Sequence, residues 1–206
     1  GYAHLNNLHD RDGVLKAKTE IFDFLESDAC IILNGDDDKL ATVTNVRGIT
    51  PITYGLGEQC DYRATHLKSL GLKGTACTIH TPVGSFDVTV TLPGKHMVCN
   101  ALAATAAGVA HGLSLQQIKQ GIEANESLAG RFNIIETSHY TIIDDCYNAS
   151  PVSMKGSLEV LQDGNQRRVA ILGDMAELGE NEQELHASVG RHAATLKLDA
   201  LYCAGP

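Results

Sequence analysis

Hydrophobic and polar residues alternate along this chain in three successive patterns. Val14, Ile21, Phe22 and Leu25 recur at the i, i+7, i+8, i+11 spacing of an amphipathic helix over residues 13–25, and Asp28 to Asn34 then reads as a strand. From about Leu40 to Pro93 the apolar runs shorten. Gly74–Thr81 and Ser85–Leu92 flank Pro82-Val83-Gly84, the pattern of an antiparallel hairpin. An Ala- and Gly-rich helix is expected from His96 to Ala110, closed by Gly112. Ser114-Leu115-Gln116-Gln117 has the S-x-x-Q form of a capping box and starts a further helix that fades near Asn125.

Beyond Gly130 the pattern changes again. Strand Thr141–Ile143, helix Pro151–Leu161, strand Val169–Leu172, helix Glu182–Leu196 and strand Ala200–Cys203 follow in βαβαβ order, which implies a parallel three-strand core. Ser150 before Pro151, and Asn181 three residues before Glu184, read as helix starts. The stretch Glu126–Gly130 marks the boundary, so the fold class is α/β in two domains: residues 1–129 with a small antiparallel β insertion, and residues 130–206 with a parallel sheet. The chain opens on Gly1-Tyr2 and closes on a strand with no helix after it. The expectation is a piece of a longer protein, its second domain cut short.

Composition narrows the function classes. With 16 Lys plus Arg against 25 Asp plus Glu the net charge is −9, which argues against nucleic-acid backbones and anionic membranes as partners. Apolar runs such as Cys30–Leu33 fall far short of a bilayer span. The six cysteines, at 30, 60, 77, 99, 146 and 203, form no C-x-x-C pair, and Cys30, Cys77 and Cys203 lie in strand-like runs where a thiol packs as a small hydrophobe. A reduced, cytoplasmic setting is expected.

Candidate chemistry is concentrated at a few positions. On a helical wheel Lys18 falls in the middle of the face defined by Val14, Ile21, Phe22 and Leu25, where an unpaired ammonium is costly. A snorkelling stem, an acidic partner, a lowered pKa or covalent modification each resolves that cost. His4 precedes that helix; alone, such a histidine is more often a satisfied structural residue than a ligand. His96 and Asn100 share a face one turn apart, directly after Pro93-Gly94. Asp144-Asp145 and Gly173-Asp174 each end a strand, and strand carboxyl ends build the ligand crevice of open parallel sheets. No G-x-x-x-x-G-K-[ST] loop, H-E-x-x-H, G-x-S-x-G or G-x-G-x-x-G occurs.

Ala3-His4-Leu5, Ala17-Lys18-Thr19-Glu20-Ile21, Asn34-Gly35-Asp36-Asp37, Gly94-Lys95-His96 with Asn100-Ala101-Leu102-Ala103-Ala104, Gly130-Arg131, Asp144-Asp145-Cys146-Tyr147-Asn148-Ala149-Ser150-Pro151-Val152-Ser153-Met154 and Leu172-Gly173-Asp174-Met175-Ala176-Glu177-Leu178-Gly179 together resemble the Mur ligase family. The resemblance runs along nearly the whole chain. It implies an ATP-dependent amide-forming ligase, with residues 1–129 as the later part of a central P-loop-type ATPase domain and residues 130–206 as the first part of a Rossmann-like C-terminal domain. The phosphate loop and the domain for the UDP-sugar are expected upstream, so this chain alone is expected to be inactive.

Within the family, the last two motifs resemble those of members that join D-alanyl-D-alanine to UDP-N-acetylmuramoyl-tripeptide. By the same resemblance Lys18 matches a carbamylated lysine and His4 a ligand of one Mg²⁺ site. Asn100 matches an adenine contact, with His96 beside it, Arg131 a phosphate contact and Asp145 a ribose contact, while Tyr147 and Asn148 lie on the nucleotide-facing turn. Where the family usually has an asparagine after this histidine, the chain has Met97. Alternatives are a Mur ligase or folate polyglutamate synthetase that adds another amino acid, and a nucleotide-binding module without catalysis.

Overall fold

The computed structural model describes residues 5–205. It divides into two compact units, one running Leu15–Asn125 and the other formed by the chain from Glu126 onward together with the segment ending at Val14. The first elements are the short helix α1 (Leu5–Leu8) and α2 (Arg11–Thr19), after which Glu20–Phe24 winds as a 3₁₀ turn.

The Leu15–Asn125 unit is built on one five-stranded sheet. Its strands are β1 (Ile32–Asn34), β2 (Ile52–Gly55), β3 (Tyr62–Ser69), β4 (Thr75–Thr81) and β5 (Gly84–Val90), hydrogen-bonded in sequence order. The first three run parallel, and β3, β4 and β5 pair antiparallel, so a hairpin meander extends a short parallel sheet. The predicted hairpin forms, with Thr81 opposite Gly84 at its turn. Alternate residues Tyr62 and Ala64, Cys77 and Ile79, and Val88 and Val90 are buried, as the two-residue period of a strand requires.

Against that face lies α3 (Lys95–Ala110), which buries Val98, Ala101, Leu102, Thr105 and Ala106, the i, i+3, i+4, i+7, i+8 stripe of a core-facing helix. Thr105 satisfies its hydroxyl on Ala101 O at 2.7 Å. The next helix, α4 (Leu115–Glu123), adds Ile118 and Ile122 to the core, and Ser114 and Gln117 form the expected capping box at its start. A smaller cluster of Ile31, Leu33 and Val46 receives Phe22 and Leu25.

The unit from Glu126 onward contains β6 (Asn133–Glu136), β7 (Thr141–Asp144), α5 (Pro151–Gln162), β8 (Val169–Leu172), a 3₁₀ turn at Gly179–Asn181, α6 (Glu182–Thr195) and β9 (Ala200–Cys203). The strand pairing corrects the expected parallel three-strand core. β8 and β9 pair in parallel, but β7 pairs antiparallel with β6, a strand the sequence pattern did not separate from the preceding loop. A tight return at Thr137–Tyr140, where Tyr140 O accepts from Thr137 N at 2.8 Å, gives β7 a neighbour in sequence to pair with. The core here is smaller: Leu158, Ala170, Met175, Leu178, Val189 and Ala193. Ser150 caps α5 through a reciprocal Ser150–Ser153 box, whereas Asn181 precedes α6 without a side-chain cap.

Two local expectations also change. The helix predicted over residues 13–25 stops at Thr19, whose hydroxyl donates back to Leu15 O at 2.9 Å and Lys16 O at 3.0 Å. Beyond it the 3₁₀ turn advances about 120° per residue, so Ile21, Phe22 and Leu25 no longer share a face with Val14. Lys18 is accordingly exposed, not centred on an apolar stripe. All six cysteines are free thiols; Cys77 is buried as expected, but Cys30 and Cys203 are exposed. No helix among the described residues is long and apolar enough to cross a membrane.

Candidate functional site

The residues singled out from the sequence fall into two groups, one in each compact unit. In the Leu15–Asn125 unit, Gly94, with φ +105°, turns the chain into α3 in a backbone conformation that favours glycine. The first two turns of that helix carry His96 and Asn100. The core fixes the opposite face of the helix, so Asn100 stands in solvent, and its amide donates to the Met97 sulfur at 3.5 Å. An amide in that position offers both a donor and an acceptor.

Near the carboxyl ends of β1 and β2, Asp36 holds the turn after β2. Its carboxylate accepts from Leu56 N at 2.6 Å and Gly57 N at 3.0 Å. A Cβ at Gly55 would come within 2.6 Å of that carboxylate and displace it from these ties. Burial, reinforced by the nearby Asp36 charge, pushes the Cys60 and Cys99 thiols up, which disfavours their thiolate forms.

In the other unit the site residues form a polar turn at the carboxyl end of β7. Gly130, at φ +72°, donates from its N–H to Asp144 Oδ2 at 3.1 Å and accepts from Tyr147 N at 2.9 Å. Phe132, at φ +53° and 1% exposed, donates from its N–H to Asp145 Oδ1 at 3.0 Å. The other oxygen of Asp145 accepts the Ser157 hydroxyl of α5 at 2.6 Å. Between these ties Arg131 is exposed, its guanidinium carbon 4.0 Å from the centre of the Tyr147 ring. Asn148 is exposed and bonds its own loop, accepting from Ala149 N at 2.9 Å. The Cys146 thiol, by hydrogen bonding, holds the Asp144 carboxyl below the usual carboxylate range, assisted by the Gly130 N–H.

Arg131 is therefore brought from the segment before β6 onto the turn that carries Asp145, Tyr147 and Asn148, while His96 and Asn100 lie on one helix. Lys18 lies at the last turn of α2, and His4 lies outside the described residues. Among the described residues no group of three or more His, Cys, Asp or Glu side chains is placed to hold a metal ion. The described residues thus do not by themselves make a magnesium site. The sequence reading missed Ser157, although Ser150, Ser153 and Ser157 at i, i+3, i+7 mark a hydroxyl stripe along α5. Chemically, the turn presents a guanidinium with an aromatic face and a carboxylate beside it, a set suited to an anionic ligand with a polar body.

Comparison with known proteins supplies the family. The profile of the Mur ligase middle domain matches residues 1–108, and that of the Mur ligase glutamate ligase domain matches residues 130–206. The UDP-N-acetylmuramoyl-tripeptide–D-alanyl-D-alanine ligase of Escherichia coli is 35% identical over 98% of this chain and 45% of its own length. The corresponding ligase of Bacillus subtilis is 34% identical over 100% of this chain and 44% of its own. The chain spans about half the length of the curated relatives it matches. Among solved structures, MurF from Acinetobacter baumannii superposes with a TM-score of 0.93 at 35% identity, covering 100% of this chain and 45% of that one. MurF from Thermotoga maritima in complex with ADP gives 0.85 at 26%, covering 98% and 46%. With two domain profiles of one family matched in order, and with structures of that family superposing on the whole chain, this chain belongs to the Mur ligase family.

Proposed function

We propose that the protein takes part in ATP-dependent amide synthesis, joining D-alanyl-D-alanine to UDP-N-acetylmuramoyl-tripeptide in the assembly of cell-wall peptidoglycan precursors. The observation that carries this reading lies at the carboxyl end of β7, where Asp145, Tyr147 and Asn148 of the Asp-x-Tyr-Asn-Ala sequence meet Arg131 from the segment before β6. Relatives that match across nearly all of this chain bear the name of that ligase, and one of the solved ones holds ADP.

In this reading residues 1–129 are the later part of the central ATP-binding domain and residues 130–206 the first part of the C-terminal domain. The carboxylate of the tripeptide attacks the γ-phosphorus of ATP; ADP departs and an acyl phosphate forms. The amine of D-alanyl-D-alanine then attacks the acyl carbon, loses a proton and expels inorganic phosphate. The protein positions the reactants and offsets their charge. Asn100, with His96 beside it, reads the adenine edge; Asp145 faces the ribose; Arg131 neutralises phosphate charge, with Tyr147 and Asn148 lining the same turn. By family likeness His4 and, once carbamylated, Lys18 would hold Mg²⁺, which would offset phosphate charge.

The test is ADP release by the full-length gene product. We expect it to require both UDP-N-acetylmuramoyl-tripeptide and D-alanyl-D-alanine, with mass spectrometry showing the pentapeptide product. Ligation of glutamate or another single amino acid in place of the dipeptide, or nucleotide binding with no turnover, would overturn the assignment.

A further inference from the structure

We propose that Ser157 and Asp144 are positioning residues for Arg131, acting by clamping the two peptide units on either side of it. The proposal deepens the reading above, on which it rests for the role of the arginine. Arg131 sits between two residues in left-handed backbone conformation, Gly130 at φ +72° and Phe132 at φ +53°. The second carries a large side chain, for which that conformation is unfavourable and needs support from the surroundings.

The support comes from both sides. On the N-terminal side, Gly130 is tied twice, by Asp144 through its N–H at 3.1 Å and by Tyr147 through its carbonyl at 2.9 Å. On the C-terminal side, the Phe132 N–H is held by Asp145 at 3.0 Å while the ring is buried. Arg131 N itself donates to Leu128 O at 3.0 Å, closing the turn. The guanidinium lies over Tyr147, whose N–H belongs to the same set of ties. The backbone around the arginine is therefore determined at every peptide, and its head is steered by one aromatic ring.

Ser157 completes the clamp from a different element. Its hydroxyl reaches Asp145 Oδ2 at 2.6 Å from the second turn of α5, and lies 3.1 Å from Ser153 O. The core helix thereby fixes the orientation of the carboxylate that holds Phe132. One lone pair on each oxygen of Asp145 remains for a ligand hydroxyl, so holding the turn and facing a ribose are compatible roles for that residue. Ser157 and Asp144 have no such outward role; their polar atoms face the chain's own turn.

The experiment uses the full-length gene product, comparing Ser157→Ala, Ser157→Thr, Arg131→Ala and the Ser157→Ala/Arg131→Ala double variant. Loss of a hydrogen bond to a charged group is expected to raise the KM for ATP about tenfold in Ser157→Ala, with the KM for D-alanyl-D-alanine unchanged. Ser157→Thr, which keeps the hydroxyl, should recover most of the loss. In the Arg131→Ala background Ser157→Ala should add clearly less than tenfold, because only its effect through Asp145 is left once the arginine it positions is gone. An equal tenfold effect in both backgrounds would overturn the proposal. Hydrogen exchange of the peptide containing Phe132 provides a readout independent of turnover: it should speed up in Ser157→Ala and recover in Ser157→Thr, and unchanged exchange in Ser157→Ala refutes the clamp. A wild-type protein without ATP-dependent ligation refutes the proposed function instead, and leaves the clamp to be decided by the exchange data.

Discussion

The two groups of candidate residues are made rigid in different ways. His96 and Asn100 stand on α3, whose inner face of Val98, Ala101, Leu102 and Ala106 is locked into the larger core. Apolar packing on one side of a helix sets the direction of side chains on the other, so the Asn100 head needs no tie beyond its contact with the Met97 sulfur. Arg131, Tyr147 and Asn148 stand on a turn with no helix of their own. There the backbone is held by polar groups, with Asp144, Asp145 and Ser157 supplying what a helix would otherwise provide. A residue on a loop thus requires hydrogen-bonding partners of its own to hold one direction.

That contrast can be broken at several points. The largest effect is expected from Leu102→Ala. Removing this fully buried side chain should cost about 2–5 kcal/mol in chemical denaturation, because it opens a cavity beneath the helix that carries Asn100. A loss below about 1 kcal/mol would show that core packing does not set that face.

Lys18→Ala tests a residue belonging to neither kind of scaffold. Lys18 is exposed, so its loss should leave the unfolding midpoint of the full-length gene product unchanged while lowering ligation about 100-fold. Short carboxylic acids added to the assay should restore part of the rate. Near wild-type turnover would return Lys18 to a solvated surface role.

Gly130→Ala strikes the clamped turn directly. At φ +72° an added Cβ is strained and would meet the Tyr147 Cβ at 3.4 Å, so a loss of about 1–2 kcal/mol is expected, accompanied by weaker ATP binding. If ATP binding is unaffected while stability falls, the turn is structural only.

The smallest effect concerns pH. The Cys146 thiol and the Gly130 N–H hold the Asp144 carboxyl below the usual range, so the tie to Gly130 is fully present above the ordinary aspartate pKa. It is lost only as pH falls through the lowered folded value. An NMR titration of the Asp144 carboxyl should have its midpoint below the ordinary range, and Cys146→Ala should move it upward. A midpoint that does not change in that variant would remove the thiol from the clamp.

What could be read from the sequence is what neighbouring residues decide among themselves. The β4–β5 hairpin, the α3 helix, the capping box at Ser114 and the helix start at Ser150 depend on residues a few positions apart, and all form as their local patterns indicate. The motif around Asp145 likewise marked a polar turn after a strand, and one follows β7. Tertiary structure alone decided the rest. It paired β7 with β6 in place of a parallel neighbour, ended α2 at Thr19 and turned Lys18 to solvent, and left Cys30 and Cys203 exposed where strand-like runs had suggested burial. It also brought Ser157 and Phe132 to opposite oxygens of Asp145, from positions 12 and 13 residues away. Strand partners and carboxylate ligands are set by which segments meet in space, and a periodicity of two or 3.6 residues carries no information about that meeting.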